Sequence, residues 1–410
     1  MLRVVPIAFM LTLFLPPALY VASPVSSVTT GLLLCAVGWI LVTLATSSKP
    51  YMLRKSDGYL LGMIAVVIAL MAIHAFISNR LTAGVSFSRF ATSCVILTFT
   101  VVGARFAARK LADTPTVRLV EAADLTLGLL ALLGIAALLG VPAIGAQASA
   151  KSVVIFAEPS HFALACIPVL MFRVSIAKRS TQLLLIGAAM VFALFVQSLI
   201  LLAGTLLVAF VLLRRTHLIL MTGVLAAVAV TLDVTYYSSR LVFSADTDNL
   251  SALVLMQGWE NAILAFRATA SLGVGFQQLG IAGPIGDTAE KIFTLLGGTY
   301  INLRDGGSTA AKLIGEFGVL GMAILAFLLR KILGAIKQVR RAQLLPAAHR
   351  DVRKLFYCSM IISFAVELFL RGTGYFSPGS FLAFIALTSL PALERSKQGL
   401  MAPGTVARAG

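Results

Sequence analysis

The chain has 410 residues, of which 59% are hydrophobic and 12% are charged. This apolar content matches about twelve membrane helices of ~20 residues each, so a soluble globular protein is excluded. The formal net charge is +17, from 33 basic and 16 acidic side chains. Such a surplus fits either an anionic ligand or the concentration of Lys and Arg in cytoplasmic loops, so the basic residues must be sorted by membrane side.

Apolar runs bounded by charged residues, Pro or Gly predict an all-α polytopic membrane protein with about 12 transmembrane helices. The runs fall at 4–22, 27–46, 58–77, 86–104, 122–145, 159–172, 182–196, 199–213, 218–236, 314–329, 355–370 and 380–393. The stretch from Thr181 to Leu213 is too long for one helix, so we divide it near Gln197 and Ser198 into a hairpin of two short helices. An undivided stretch would give eleven spans and reverse the side of every later loop.

The distribution of basic residues favours twelve spans with the amino terminus in the cytoplasm. In this topology the cytoplasmic segments hold 24 of the 33 basic residues, including eight between Arg330 and Lys354 that the eleven-span count would place outside. The predicted organisation is spans 1–9 in residues 1–236, a large outer loop with a membrane-surface helix in 237–310, spans 10–12 in 311–393, and a cytoplasmic tail in 394–410. The cytoplasmic charge is thereby explained without a ligand.

Nine basic residues remain on the outer side and form the unusual fraction of the charge. They are Arg80, Arg89, Lys151, Arg240, Arg267, Lys291, Arg304, Lys312 and Arg371. Several lie at the ends of apolar runs, where burying an unpaired charge costs several kcal/mol. An anion is the expected partner of the set.

Acidic residues open two of the predicted spans from the outer side. Glu158 precedes Pro159 at the start of the sixth span, and Glu316 begins the tenth. Glu158 in this position either caps the helix or takes part in chemistry. His161 is the only one of the four histidines near such a place, and it is the alternative reactive group. We expect no metal or cofactor, since no HExxH or clustered-histidine motif occurs and the Asp-Thr-Asp triplet at 246–248 is typical of a solvated turn.

Four short motifs occur in a characteristic order along residues 150–390. They are Glu158-Pro159-Ser160, Ser238-Ser239-Arg240, Gly273-Val274-Gly275-Phe276, and the GEFGVLG sequence at 315–321. Together with a large outer loop late in a polytopic chain, they resemble the Wzy-type O-antigen polymerase and O-antigen ligase (Wzy/WaaL) group of bacterial membrane glycosyltransferases.

This resemblance implies a GT-C-like fold in the bacterial inner membrane, with an active site that faces the periplasm. It implies transfer of an oligosaccharide from undecaprenyl pyrophosphate to an acceptor sugar hydroxyl, with no cofactor. The implied partners are undecaprenyl-pyrophosphate-linked oligosaccharides, membrane lipid and a candidate chain-length regulator, and no nucleic acid.

One departure from the family pattern concerns the branch of the group. Ligases carry a histidine shortly before the motif that corresponds to GEFG, and residues 304–309 contain none. This favours the polymerase branch, in which a growing chain is transferred to the non-reducing end of a repeat unit on a second carrier. A ligase that acts on lipid A–core and a flippase for lipid-linked oligosaccharides remain alternatives.

The chemistry of such a transfer assigns roles to the residues. A sugar pyrophosphate already has a good leaving group, so the site needs positive charge for the pyrophosphate and a base for the attacking hydroxyl. Glu158 is the predicted base, with His161 as the alternative, and single displacement would invert the anomeric configuration. The predicted substrate- and pyrophosphate-binding residues are Arg80, Arg89, Lys151, Arg240, Arg267, Gln277, Arg304, Lys312, Glu316, Arg371 and Tyr375.

Overall fold

The computed structural model describes residues 4–23, 27–46, 55–145, 152–219, 221–223, 237, 240, 242–244 and 247–401. Within these residues the chain forms helices and no extended strand. The long helices are α1 (Val4–Ala22), α2 (Val28–Ala45), α3 (Lys55–Thr82), α4 (Phe87–Asp113), α5 (Thr116–Leu138), α6 (Pro159–Ile176), α7 (Arg179–Phe195), α8 (Leu199–Leu212), α9 (Leu250–Ala268), α10 (Asp287–Leu295), α11 (Thr309–Ala342), α12 (Val352–Phe369) and α13 (Pro378–Met401).

Seven of these helices, α1–α6 and α11, are long and apolar enough to cross a membrane. Two shorter apolar helices, α7 and α8, and the first part of α13 accompany them. The protein is therefore an all-helical, polytopic membrane protein. Most of the predicted ninth span, 224–236, lies outside the described residues.

The predicted division of the stretch 181–213 is confirmed. Helix α7 ends at Phe195, Gln197 adopts a left-handed conformation with φ 52°, and Ser198 caps the next helix by accepting from the Leu201 amide. The two short helices pack against each other as a hairpin. The segment 237–310, predicted as an outer loop that contains a helix, includes α9.

The predicted bounds of the fifth span, 122–145, are wrong. Helix α5 begins six residues earlier, at Thr116 after Pro115, and ends at Leu138. Gly140 then adopts φ 79°, and Pro142 follows. A left-handed glycine and a proline beyond it are ordinary terminators of a helix, so the apolar residues from 139 to 145 continue outside it.

Helices α6 and α12 form the centre of the bundle. Helix α12 packs against α6, α11 and α13, and both central helices are buried along most of their length. Phe356 of α12 contacts both α6 and α1, since its ring centroid lies 5.0 Å from that of Phe172 and 5.4 Å from that of Phe9. Since α6 begins and α12 ends at the same side of the bundle, Glu158 and Arg371 meet there.

Candidate functional site

The candidate site is organised around a break in α11. Gly318 has φ 55° and ψ −127°, which interrupts the helix one turn after Gly315. A Cβ at Gly318 would lie 1.9 Å from the carbonyl oxygen of Ser271. Only glycine fits this position, because the conformation is left-handed and the neighbouring backbone is in contact. The GEFG motif therefore contains the residue at which the helical backbone of α11 is interrupted.

The loop that contains Gly273-Val274-Gly275-Phe276 supplies the hydrogen bonds that the break removes. The amides of Val274 and Gly275 donate to the carbonyls of Gly315 (3.0 Å) and Glu316 (2.9 Å), and the Val319 amide donates to Ser271 (3.0 Å). Backbone polar groups at membrane depth must find such partners, because water is absent there. The two glycine motifs thus form one structural unit.

The same loop is joined to the helices α3 and α4. The Ser78 hydroxyl donates to the Gly273 carbonyl (2.9 Å). The side-chain amide of Gln278 accepts from the Ser86 amide (2.8 Å) and donates to the Ser86 carbonyl (3.2 Å). Gln278 therefore fixes the start of α4, and with it Arg89 one turn further on.

A buried ion pair lies beneath the loop, at the start of α11. Lys312 Nζ is 3.6 Å from Glu316 Oε1, and the side chains are 1% and 0% exposed. The Glu316 carboxylate also accepts from the amides of Gln277 (2.8 Å) and Leu279 (3.3 Å). Its charge is thus fully partnered, which is the condition under which a buried carboxylate is tolerated.

Lys312 belongs to this buried pair and also lines a cavity. Its Nζ donates to the carbonyl of Arg304 and to the side chain of Gln277 (3.3 Å), and it lies 5.3 Å from the ring centroid of Tyr375. The Arg89 guanidinium donates to the same Gln277, to its carbonyl (3.0 Å) and its side chain (3.3 Å). Gln277 therefore holds Arg89 and Lys312 on one wall.

The cavity has a volume of about 570 Å³, within the size range of small-molecule sites. Three cations, Arg89, Arg304 and Lys312, line it, and a wall of hydroxyl groups from the starts of α2 and α4 lies with them. The serine and threonine residues of the lining are Ser27, Thr29, Ser86, Ser88, Thr92, Ser93 and Thr373. Cations suit phosphate oxygens, and hydroxyls suit either phosphate or sugar hydroxyl groups.

Asp305 is the acidic residue of the lining, and the sequence analysis did not select it. Among the described residues its carboxylate forms neither a salt bridge nor a side-chain hydrogen bond. It does interact electrostatically, over a longer distance, with Arg89 and His161. A Cβ added at Gly374 would lie 3.5 Å from Asp305 Oδ1. The available signal was its position directly after Arg304 in the glycine-rich end of the outer loop.

Glu158 lies in a neighbouring cluster at the start of α6. Its Oε2 accepts from Arg371 Nη2 (3.1 Å) and from the Ser160 hydroxyl (2.8 Å). Partial burial alone would raise the pKa of Glu158, but Arg371, His161 and the Ser160 hydrogen bond outweigh it and hold the pKa below its ordinary value. Glu158 is therefore a paired carboxylate, which makes it a weaker base than a free one.

A second cavity, of about 30 Å³, adjoins this cluster and is lined by His161, Glu367 and Thr373 among others. His161 Nδ1 and Glu367 Oε1 are buried without a hydrogen-bond partner in the described part of the chain. The volume is enough for one water molecule. Thr373 lines both cavities, so the α12–α13 loop is the partition between them.

The tertiary structure separates the predicted site residues into groups. Arg89, Gln277, Arg304, Lys312 and Tyr375 line the larger cavity, with Glu316 behind them; Glu158, His161 and Arg371 form the adjacent cluster. The side chains of Arg80 and Arg267 are exposed, and with Arg240 they lie outside the cavity lining. Lys151 lies outside the described residues.

No protein-family model, curated protein or solved structure matches this chain. The functional assignment therefore rests on the geometry of the cavity and on the sequence motifs.

Proposed function

We propose that this protein is a membrane glycosyltransferase of the Wzy-type polymerase kind. It would transfer a growing glycan from undecaprenyl pyrophosphate to the non-reducing end of a lipid-linked repeat unit, at the periplasmic face of the bacterial inner membrane. The observation that carries the proposal is the convergence on one cavity of Arg89, Arg304 and Lys312 with Asp305, whose carboxylate is unpaired among the described residues. This arrangement has the two components that the reaction needs, which are fixed positive charge and a base.

The cations would bind the pyrophosphate of the donor. Arg89 and Lys312 are held in place through Gln277 before any ligand arrives, so their positions require little reorganisation. Preorganised charge of this kind stabilises the developing negative charge of a leaving group in the transition state. The donor pyrophosphate departs with the electron pair of the broken anomeric C–O bond.

A carboxylate would take the proton of the acceptor hydroxyl as its oxygen forms the new anomeric bond. Sequence reasoning selects Glu158, but this side chain is paired with Arg371. Asp305 lines the cavity with the cations and has no such partner in the described chain. We therefore propose Asp305 as the base, with the Glu158–Arg371 pair in a positioning role beside it.

The test is elongation of purified lipid-linked repeat units by the protein in proteoliposomes, read as a ladder of chain lengths. Arg89→Gln is expected to slow elongation by roughly 100-fold, the order found when one charge-stabilising group is removed. Arg80→Gln is the matched control, because it removes the same charge from an exposed side chain outside the cavity. Equal elongation by the two variants would contradict the proposal.

The identity of the base is tested in the same assay. Asp305→Asn is expected to abolish elongation while donor binding persists, and Glu158→Gln is expected to retain measurable elongation. If Glu158→Gln is inactive and Asp305→Asn is active, Glu158 is the base instead.

A flippase for the same lipid-linked sugar is the second candidate, and the break in α11 at Gly318 favours it. Broken membrane helices beside a polar site are typical of transporters. A flippase would move labelled lipid-linked repeat units across a liposome membrane and leave their length unchanged, whereas the proposed polymerase would lengthen them. Transfer to lipid A–core in the same assay would instead identify a ligase.

A further inference from the structure

A second cluster of cationic side chains lies at the opposite end of the helix bundle. Helix α6 begins at Pro159 beside the candidate site and runs 18 residues to Ile176, about 27 Å away at 1.5 Å per residue. At that far end a cavity of about 290 Å³ lies between the ends of several helices. Its lining residues are Arg179, Gln182, Arg214, His217, Gln343 and Arg350.

The walls of this cavity are built by hydrogen bonds to helix ends. Arg350 Nη1 donates to the carbonyls of Ser175 (2.9 Å) and Ala177 (3.1 Å), which lie on either side of Ile176, the last residue of α6. Arg179 Nη1 donates to the Leu212 carbonyl at the end of α8 (3.1 Å). The two guanidinium groups are thereby fixed in orientation.

The amide side chains complete the frame. Gln182 donates to the Gln343 side chain (2.8 Å), and Gln343 donates to the Ser175 carbonyl (2.8 Å). Arg179 Nη2 also lies 3.2 Å from His217 Nδ1. Gln182 is buried, so this frame belongs to the interior of the bundle end and not to a loose surface loop.

The positive charge of the cavity is not balanced by its own lining. Three of the six lining residues are arginines and none is acidic. Asp351, next to Arg350 in sequence, caps α12 by accepting from the Lys354 amide (3.0 Å). The dipole of α6 does not remove the surplus, because its carboxyl end at Ile176 is followed directly by the amino end of α7 at Arg179.

Burial affects one of these arginines, Arg350. Burial lowers the pKa of Arg350 from its ordinary value, so part of its solvation has been lost without a carboxylate in the lining to replace it. An anion bound between the guanidinium groups would compensate for the solvation that Arg350 has lost. The planar guanidinium group of arginine can donate two parallel hydrogen bonds to the oxygens of a phosphate.

A groove beside this cavity indicates which kind of phosphate compound the cavity would bind. It runs along α11 and is lined by Leu333, Ile336, Lys337, Arg340, Arg341 and Leu344. Arg340 borders the same end of α8 as Arg179, since its Nη2 donates to the Phe210 carbonyl (2.9 Å). Leu333 and Leu344 are 63% and 81% exposed. A basic rim beside exposed leucines suits a phosphate headgroup with attached acyl chains.

We propose that the cavity formed by Arg179, Arg214 and Arg350 binds the phosphate of an anionic phospholipid headgroup. The inference does not depend on the proposed transferase activity, because the cavity lies at the other end of α6 and is tested by binding alone. It assigns to three of the basic residues a ligand that the positive-inside rule does not require.

The experiment is thermal unfolding of the detergent-purified full chain during titration with cardiolipin, with phosphatidylcholine and inorganic phosphate as separate arms. Arg214→Gln is compared with Arg215→Gln, because the two adjacent arginines carry the same charge and are both exposed, but only Arg214 lines the cavity. We expect cardiolipin to raise the unfolding temperature of the wild type and of Arg215→Gln, with roughly tenfold weaker apparent affinity for Arg214→Gln.

Each outcome of this titration decides the proposal. Stabilisation by cardiolipin but not by inorganic phosphate, reduced in Arg214→Gln and in Arg179→Gln, supports a headgroup site. Equal stabilisation by inorganic phosphate would overturn the lipid assignment, since a soluble phosphate would then suffice. Equal responses of Arg214→Gln and Arg215→Gln, or equal effects of cardiolipin and phosphatidylcholine, would overturn the site.

Discussion

Lys312 and Glu316 lie one turn apart at the start of α11, with Nζ 3.6 Å from Oε1 and both side chains buried. The two side chains have different neighbours. The Glu316 carboxylate accepts from backbone amides of the loop at 277–279, and Lys312 lines the cavity. A single residue change here is expected to disturb stability and the site together.

Glu316→Gln is expected to lower the free energy of unfolding by about 3–5 kcal/mol, because it leaves the buried ammonium group of Lys312 without its counter-charge. The measurement is the shift in the midpoint of denaturant-induced unfolding in mixed micelles. Glu121→Gln, which removes an exposed partner of Arg118, is the control and should cost less than about 1 kcal/mol. Similar shifts for both variants would contradict the role of the buried pair.

Gly318→Ala is expected to destabilise the protein by several kcal/mol, because the new Cβ would meet the Ser271 carbonyl at 1.9 Å in a left-handed conformation. Gly334→Ala in the same helix is the matched control. Within the described residues, a Cβ at Gly334 would meet nothing within 4 Å beyond its chain neighbours and the local backbone of its own helix, so alanine should be neutral or stabilise by up to about 1 kcal/mol. Thermal unfolding of the two variants side by side tests the expectation, which fails if Gly318→Ala is tolerated as well as Gly334→Ala.

The Glu158–Arg371 pair predicts a modest dependence of stability on pH. The pKa of Glu158 is lower in the folded protein than its ordinary value, so its contribution is present above the unfolded pKa and is lost as the pH falls through the folded pKa. The half-exposed carboxylate limits the effect to less than about 1 kcal/mol. Stability measured from pH 6 to pH 3 should fall less in Glu158→Gln than in the wild type. Identical profiles would show that the pair contributes nothing.

Tyr375 is expected to act through its ring. The ring stacks on Phe276 with centroids 5.7 Å apart and lies near the Lys312 ammonium group. Tyr375→Phe should preserve stability within about 1 kcal/mol, whereas Tyr375→Ala should cost about 3 kcal/mol through the lost packing.

Burial and the negative charge of Glu316 raise the pKa of Tyr375 well above its ordinary value, so the phenol stays protonated up to pH 10. Elongation by the wild type should therefore show no titration from this residue between pH 7 and pH 10. A stability loss in Tyr375→Phe equal to that in Tyr375→Ala would instead place the contribution in the hydroxyl group.

Local signals in the sequence were enough for several elements of the fold. Apolar runs longer than a soluble helix requires gave the membrane class, since no soluble core can bury them. Gln197 and Ser198 marked the division between α7 and α8, because two polar residues interrupt an otherwise apolar stretch and a serine caps the helix that follows. The bounds of α5 were missed because the residues after Gly140 remain apolar although the helix has ended.

The site depended on contacts between distant segments. The sequence identified Arg89 and Arg304 as residues that suit a pyrophosphate, but equally Arg80 and Arg267, which lie outside the cavity lining. Residue type and predicted membrane side are the same for both sets. What separates them is the loop at 271–279, which bonds to the broken turn of α11 and to Ser86 at the start of α4.

By itself, the sequence determined that this is a helical protein of the membrane, because hydropathy and charge act locally along the chain. Its two glycine motifs, at 273–276 and 315–321, were visible only as separate motifs. Only the tertiary structure decided that they form one unit, in which the backbone of the loop hydrogen-bonds to the interrupted turn of α11. In this arrangement Lys312, Arg89 and Asp305 line the same cavity. Such pairing of backbone groups over 40 residues of chain leaves no periodic trace in the sequence, since it depends on where two segments meet in space.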